Sequence, residues 1–131
     1  MIYPINRDDA LDLFPVLREP LAHLHLNFEG ESPMIIFNKL MDTKYKLYRS
    51  DDGFVITDES ELGMHVVSAY AFDLRTVAPL RYLIVSLCNL ARDRGIHELS
   101  FASPRKAWQK IAEPLGFIRD GDYFVKDLKN V

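Results

Sequence analysis

The sequence predicts an α/β domain: a mixed, mostly antiparallel central sheet with helices on both faces. Three observations predict it. Residues 44–59 alternate apolar and polar positions around Ser50-Asp51-Asp52-Gly53, a hairpin signal. Residues 63–102 run strand, amphipathic helix, strand, the step that joins parallel neighbours by a crossover. Helical stripes precede and follow these segments, and no repeat or linker interrupts them. A length of 131 residues suits one domain over residues 1–131.

The elements follow in order. "IYPIN" reads as a short opening strand. "RDDALDLFPVLREPL" offers Asp8 or Asp9 as a cap, with Ala10, Leu13, Phe14 and Leu17 at helical spacing. Pro15 and Pro20 predict that this helix is broken. In "SPMIIFNKLMD" Ser32 is a cap, Pro33 takes the first helical position, and Ile36, Phe37 and Leu40 form the stripe. "MHVVSAYAFD", opened by Gly63, reads as a central strand, with Tyr70 alternating with Met64, Val66, Ser68 and Phe72 on one face. Val77, Leu80, Ile84, Leu87, Cys88 and Ala91 then stripe a long helix that Gly95 closes. "IHELSFAS" is a further strand, "SPRKAWQKIAEPLGF" a short helix capped by Ser103 and followed by Pro114, and "DGDYFVKDL" a last strand.

Composition narrows the function classes. A net charge of −3 argues against a nucleic-acid binder, as does the lack of a basic, aromatic strand face. Cys88 is the single cysteine, so no internal disulfide forms and a reducing compartment is expected. No apolar run approaches the roughly 20 residues needed to span a bilayer. The start, with acids where a leader would be basic, gives no signal peptide. The expectation is a soluble, cytoplasmic protein without a membrane partner. The four histidines make no metal pattern: His23 and His25 sit in a helical context, and His65 and His97 fall on separate strands. Asp51, Asp52, Asp58, Glu59 and Glu61 read as a solvated acidic rim. Trp108 is either core or an interface anchor, and Arg105 and Lys106 sit at a helix start that an anion would suit.

With this element order, "LARDRGIHELSFAS" and "AWQKIAEPLGF" resemble the GNAT superfamily of N-acetyltransferases, over nearly the whole chain. Gly116-Phe117 match the family's Gly-Phe before its last strand, and "INRDDALDLFPVL" matches its opening. The resemblance implies acetyl-CoA as cofactor. Its pyrophosphate would lie on amides at the start of the long helix, where the family carries Q/R-x-x-G-x-G/A. The stretch here is Arg75-Thr76-Val77-Ala78-Pro79-Leu80. Arg75 fits the first position, Ala78 and Leu80 replace the small residues, and Pro79 has no N–H to donate. If the cofactor binds, Arg75, Val77, Ala78 and Leu80 would hold it, with Arg105 nearby.

The family's tyrosine acid, four residues before the Gly-Phe glycine, falls on Ala112 here, and its asparagine on Arg105. Tyr70 and Tyr123 are substitutes for the acid, and Asp73 and Glu98 candidates to take the amine proton. A turn cap for Asp73 and a solvated strand position for Glu98 are the plainer assignments. The resemblance extends to small GNAT-like proteins of tailed bacteriophages, some of them internal virion components. Two expectations stand. One is an eroded GNAT fold without cofactor that acts by binding a protein partner or by self-association, in the host cytoplasm or a virion. The other is an acetyl-CoA-dependent N-acetyltransferase acting on an amine.

Overall fold

The computed structural model describes residues 2–22, 31–61, 63–71, 78–102 and 107–128. Among these residues seven strands form one sheet in the order β1-β2-β3-β4-β5-β7-β6: β1 Tyr3–Ile5, β2 Tyr45–Ser50, β3 Gly53–Glu59, β4 Gly63–Ala71, β5 Glu98–Ala102, β6 Ile118–Asp120 and β7 Tyr123–Asp127. Every neighbour pair is antiparallel except β4 and β5. Helices α1 (Arg7–Ala22) and α2 (Pro33–Met41) cover one face, and α3 (Ala78–Asp93) and α4 (Ala107–Ala112) the other.

Two cores separate cleanly by strand parity. Toward α1 and α2, Ala10, Phe14, Leu17, Ile36 and Leu40 meet Tyr45, Leu47, Phe54, Ile56 and Val67. Toward α3 and α4, Leu83, Ile84, Leu87, Cys88 and Ala91 meet Tyr48, Val55, Met64, Val66, Leu99 and Phe101. Successive strand residues thus serve opposite helix layers, the mark of a sheet buried on both sides.

Several local readings need correction. Helix α1 runs unbroken through Pro15 and Pro20. Pro15 is exposed, so the Leu11 carbonyl that loses its donor lies on the solvent side, where water can serve it. The helix is capped by Asn6, whose Oδ1 accepts from the Asp9 amide at 2.8 Å, and Asp8 and Asp9 occupy its first turn. At α2 the Ser32 cap and Pro33 start hold as read, with Oγ accepting from Ile35 N at 3.3 Å. The "last strand" is two, β6 and β7, turning at Gly121 with φ +63°. Gly116, at φ +90°, ends the short 3-10 turn Glu113–Leu115 after α4 and sends Phe117 onto Phe101, ring centroids 5.2 Å apart. The Ser103 cap lies outside the described residues.

The acidic rim is only partly solvated. Glu59 keeps 9% of its side chain exposed. It accepts from Tyr48 Oη (2.7 Å), Thr57 Oγ1 (2.8 Å) and Arg94 Nη1 (3.1 Å), and Arg94 also donates to the Tyr48 hydroxyl. This network ties the end of α3 to β2 and β3. Desolvation and the Glu59 carboxylate push the Tyr48 hydroxyl well above its ordinary pKa, so it stays a donor.

Candidate functional site

The geometry that sets β4 apart is a bulge followed by a lost partner. Between β3 and β4 the register steps from Ile56↔Ser68 to Thr57↔Val66, which leaves Val67 as an extra residue on β4. The face alternation shifts by one there. Met64 and Val66 point toward α3, then Ala69 does, while Val67 and Tyr70 join the core under α1 and α2. Tyr70 therefore does not share a face with Met64 and Val66; a pleat counted without the bulge puts it on the wrong side.

At the same point β4 parts from β5. Their parallel pairing covers Gly63↔Glu98 to Val66↔Phe101, and from Val67 to Ala71 β4 is paired, among the described residues, with β3 alone. Along this edge of β4 the strand ladder with β5 has ended. The edge leads to α3, which starts seven residues after Ala71. The N-cap and the first three residues of a helix have amides without intrahelical acceptors. Pro79 having none, those of Ala78 and Leu80 remain among the described residues, at the positive end of a 16-residue dipole.

Leu80 bears directly on crowding at this corner. It is half-buried and lies against the core beneath α3, beside Leu83 and Ile84. Its side chain is thus a member of the apolar stripe. Arg81 was not singled out in the sequence. Its Nε is buried without a hydrogen-bond partner among the described residues. Arg81 is the fourth residue of α3, and helix side chains lean toward the N-terminus, the end that carries the orphan amides. A half-buried guanidinium with an unpartnered Nε, in the same turn as the orphan amides of Ala78 and Leu80, fits the diphosphate of a coenzyme A thioester. The signal was available as an arginine three residues into the helix.

The remaining sequence candidates divide as follows. Asp73, Arg75, Val77 and Arg105 lie outside the described residues. Ala112, at the position of the family's tyrosine acid, is 1% exposed and part of the core, so nothing there donates a proton. Glu98 is exposed at the start of β5, and Tyr123 is exposed at the start of β7. Tyr123 meets His65 edge-on, ring centroids 5.6 Å apart. His65 is not the isolated residue its place in the chain implies: its Nδ1 is 2.9 Å from Ser100 Oγ on β5. No spacing in the sequence could show this, because a whole crossover helix separates the two.

Cys88 is buried in the α3 stripe, and burial pushes its thiol pKa up, against the opposing pull of Lys126 and Arg92. It reads as an inert core thiol. No group of three or more metal-ligating side chains occurs among the described residues, and none of their helices is long and apolar enough to cross a membrane.

Comparison with solved structures gives the fold its class. An N-acetyltransferase from Staphylococcus aureus Mu50 superposes with a TM-score of 0.71 at 12% identity, covering 99% of this chain and 98% of that one. The aminoglycoside 6'-N-acetyltransferase from Enterococcus faecium gives 0.71 at 13%, covering 100% and 98%. A putative acetyltransferase from Salmonella typhimurium, solved with its cofactor acetyl-CoA, gives 0.65 at 13%, covering 100% and 95%. The chain has the GNAT acetyltransferase fold from end to end. No protein-family model and no curated protein matches the sequence.

Proposed function

We propose that this chain binds acetyl-CoA where β4 leaves β5 and acts as an N-acetyltransferase on an amine. The observation that carries this reading is the parting of β4 from β5 after Val66, on the way to a helix start at which the Arg81 Nε is buried without a hydrogen-bond partner among the described residues. The amides of Ala78 and Leu80 and the Arg81 guanidinium would hold the diphosphate, with Arg75 and Val77 contributing from the preceding corner. Bound there, acetyl-CoA supplies an activated acyl carbon. The chain's part is to orient it along β4 and to shield it from water with the core residues on either side. Similar folds in the solved acetyltransferases, one of them holding acetyl-CoA, support the same reading.

The objection from the glycine-free corner weakens at Leu80, which is turned into the core, and stands at Pro79, which donates nothing. A second reading follows from Ala112. With no hydroxyl at that position, the fold would bind without transferring, as an assembly protein that pairs with a partner or with itself, such as a phage accessory or virion component. Calorimetric titration with acetyl-CoA separates cofactor binding from its absence. Thiol release is then followed with kanamycin, spermidine and a peptide with a free N-terminal alanine as amines. Micromolar affinity with turnover supports the transferase. Affinity without turnover supports the second reading, and no heat with millimolar acetyl-CoA overturns the first.

A further inference from the structure

Three polar residues from successive strands stand in one row on the sheet face that carries α1 and α2. Asp58 of β3 is the cross-strand partner of His65 of β4, and His65 is the partner of Ser100 of β5. Directly paired residues share a face with Cβ atoms about 4.5–5.5 Å apart. The His65–Ser100 contact of 2.9 Å spans the last stretch over which β4 and β5 remain paired. All three residues line an open cleft of about 240 Å³ at the β3–β4 turn, together with Ser60, Gly63 and Glu98. The next residue of β4 on this face is Val67, the bulge, roughly 6–7 Å along the strand. The row therefore joins a solvent-open cleft to the point where β4 parts from β5.

We infer that His65, acting through Ser100, takes the proton from the acceptor amine, which enters by this cleft. The inference rests on the transferase reading above. An alkylamine is an ammonium at neutral pH and has no lone pair to attack with until a proton leaves. Histidine is the side chain whose ordinary titration range brackets neutrality. In the tautomer with Nε2 protonated, the Ser100 hydroxyl donates to His65 Nδ1. The ammonium proton passes to Ser100 Oγ as the hydroxyl proton passes to Nδ1. The products are a neutral amine and an imidazolium, and the imidazolium returns its proton to water in the cleft.

Charged and polar groups from three strands surround His65. Asp58 lies beside it on β3, itself 3.6 Å from Lys44, and Glu98 lies two residues before Ser100 on β5. Tyr123 of β7 closes the third side with its ring edge. Glu59, at the same cleft, is committed to Tyr48, Thr57 and Arg94. Two carboxylates at the cleft favour the entry of an ammonium. Neither needs to act as the base.

The test uses the full chain and its His65→Gln and Ser100→Ala variants, with thermal melts to confirm folding. Acetyl-CoA calorimetry comes first and reads the cofactor site alone; its failure in the unmodified chain overturns the transferase reading. The base assignment has two separate readouts. Without acetyl-CoA, spermidine is expected to shift the His65 ring resonances in NMR, and less so in Ser100→Ala. With acetyl-CoA and the amine turned over fastest, His65→Gln is expected to lower kcat by about 10²–10⁴-fold, the usual range for a general base. KM and acetyl-CoA affinity should hold, and the acid limb of the pH–rate profile should disappear. Ser100→Ala should lower kcat in the same sense. A His65→Gln chain that keeps its rate and its acid limb overturns the inference. So do ring resonances that ignore spermidine, and an unmodified chain that binds acetyl-CoA yet turns over no amine.

Discussion

Replacing Arg81 with methionine should move two measurements in ways that a purely structural arginine could not. Its Nε is buried and makes no hydrogen bond among the described residues, so the folded chain bears the desolvation of a polar donor without a return. Leaving such a group unsatisfied costs about 1–3 kcal/mol. Methionine retains an unbranched apolar stem and removes the donor, so stability in urea should be unchanged or higher by up to about 1 kcal/mol. Acetyl-CoA affinity should fall. A hydrogen bond to a charged group is worth about 1.5–3 kcal/mol, which is roughly a tenfold to hundredfold rise in Kd. Paired calorimetry and denaturant titration on the two proteins read both effects. The reasoning fails if Kd stays within about twofold of the parent, or if stability drops by more than about 1 kcal/mol, because Nε then holds the fold and not a ligand.

Three further outcomes are expected. Leu80→Ala should destabilise the chain by about 1–2 kcal/mol through lost partial burial and should not tighten acetyl-CoA binding; a gain in affinity would mean the leucine crowds the site. Tyr48→Phe removes the hydroxyl shared by Glu59 and Arg94 and should cost about 1–2 kcal/mol in a urea titration, with no loss of acetyl-CoA affinity. The third concerns pH. Glu31 accepts from Lys39 Nζ at 2.6 Å and from the Tyr45 hydroxyl. Burial raises its carboxyl pKa, but those hydrogen bonds and the charges of Lys39 and Lys44 outweigh it and hold the pKa below the ordinary 4.5. A depressed folded pKa adds stability that is complete above the unfolded value and is lost as pH falls through the folded one. The stability difference between the parent and Glu31→Gln should therefore shrink below about pH 4.5, followed by thermal melts between pH 3 and 7, and a constant difference would contradict the pairing.

The fold was legible because most of its signals are local. The Ser32-Pro33 start, the Ser50–Gly53 turn, the α3 stripe and the Gly116-Phe117 corner each rest on residues within a few positions of one another. What could not be read depends on register. The bulge at Val67 is one residue's mismatch between two strands, and it moved Tyr70 from one core to the other. The helix through Pro15 depends on which side of α1 faces water. Glu59 looked like one acid among several until Arg94, 35 residues later, closed on it. The site divides in the same way. Ala78, Leu80 and the empty role of Ala112 follow from motif spacing, whereas His65 and Ser100 meet only because β4 and β5 lie side by side.

The most direct test of the account is residue-resolved amide NMR of the chain titrated with acetyl-CoA. The account expects the amides of residues 67–71, where β4 has parted from β5, and of Ala78 and Leu80 to shift together, with a single micromolar Kd. Silence at millimolar acetyl-CoA, or shifts confined to other strands, would contradict it.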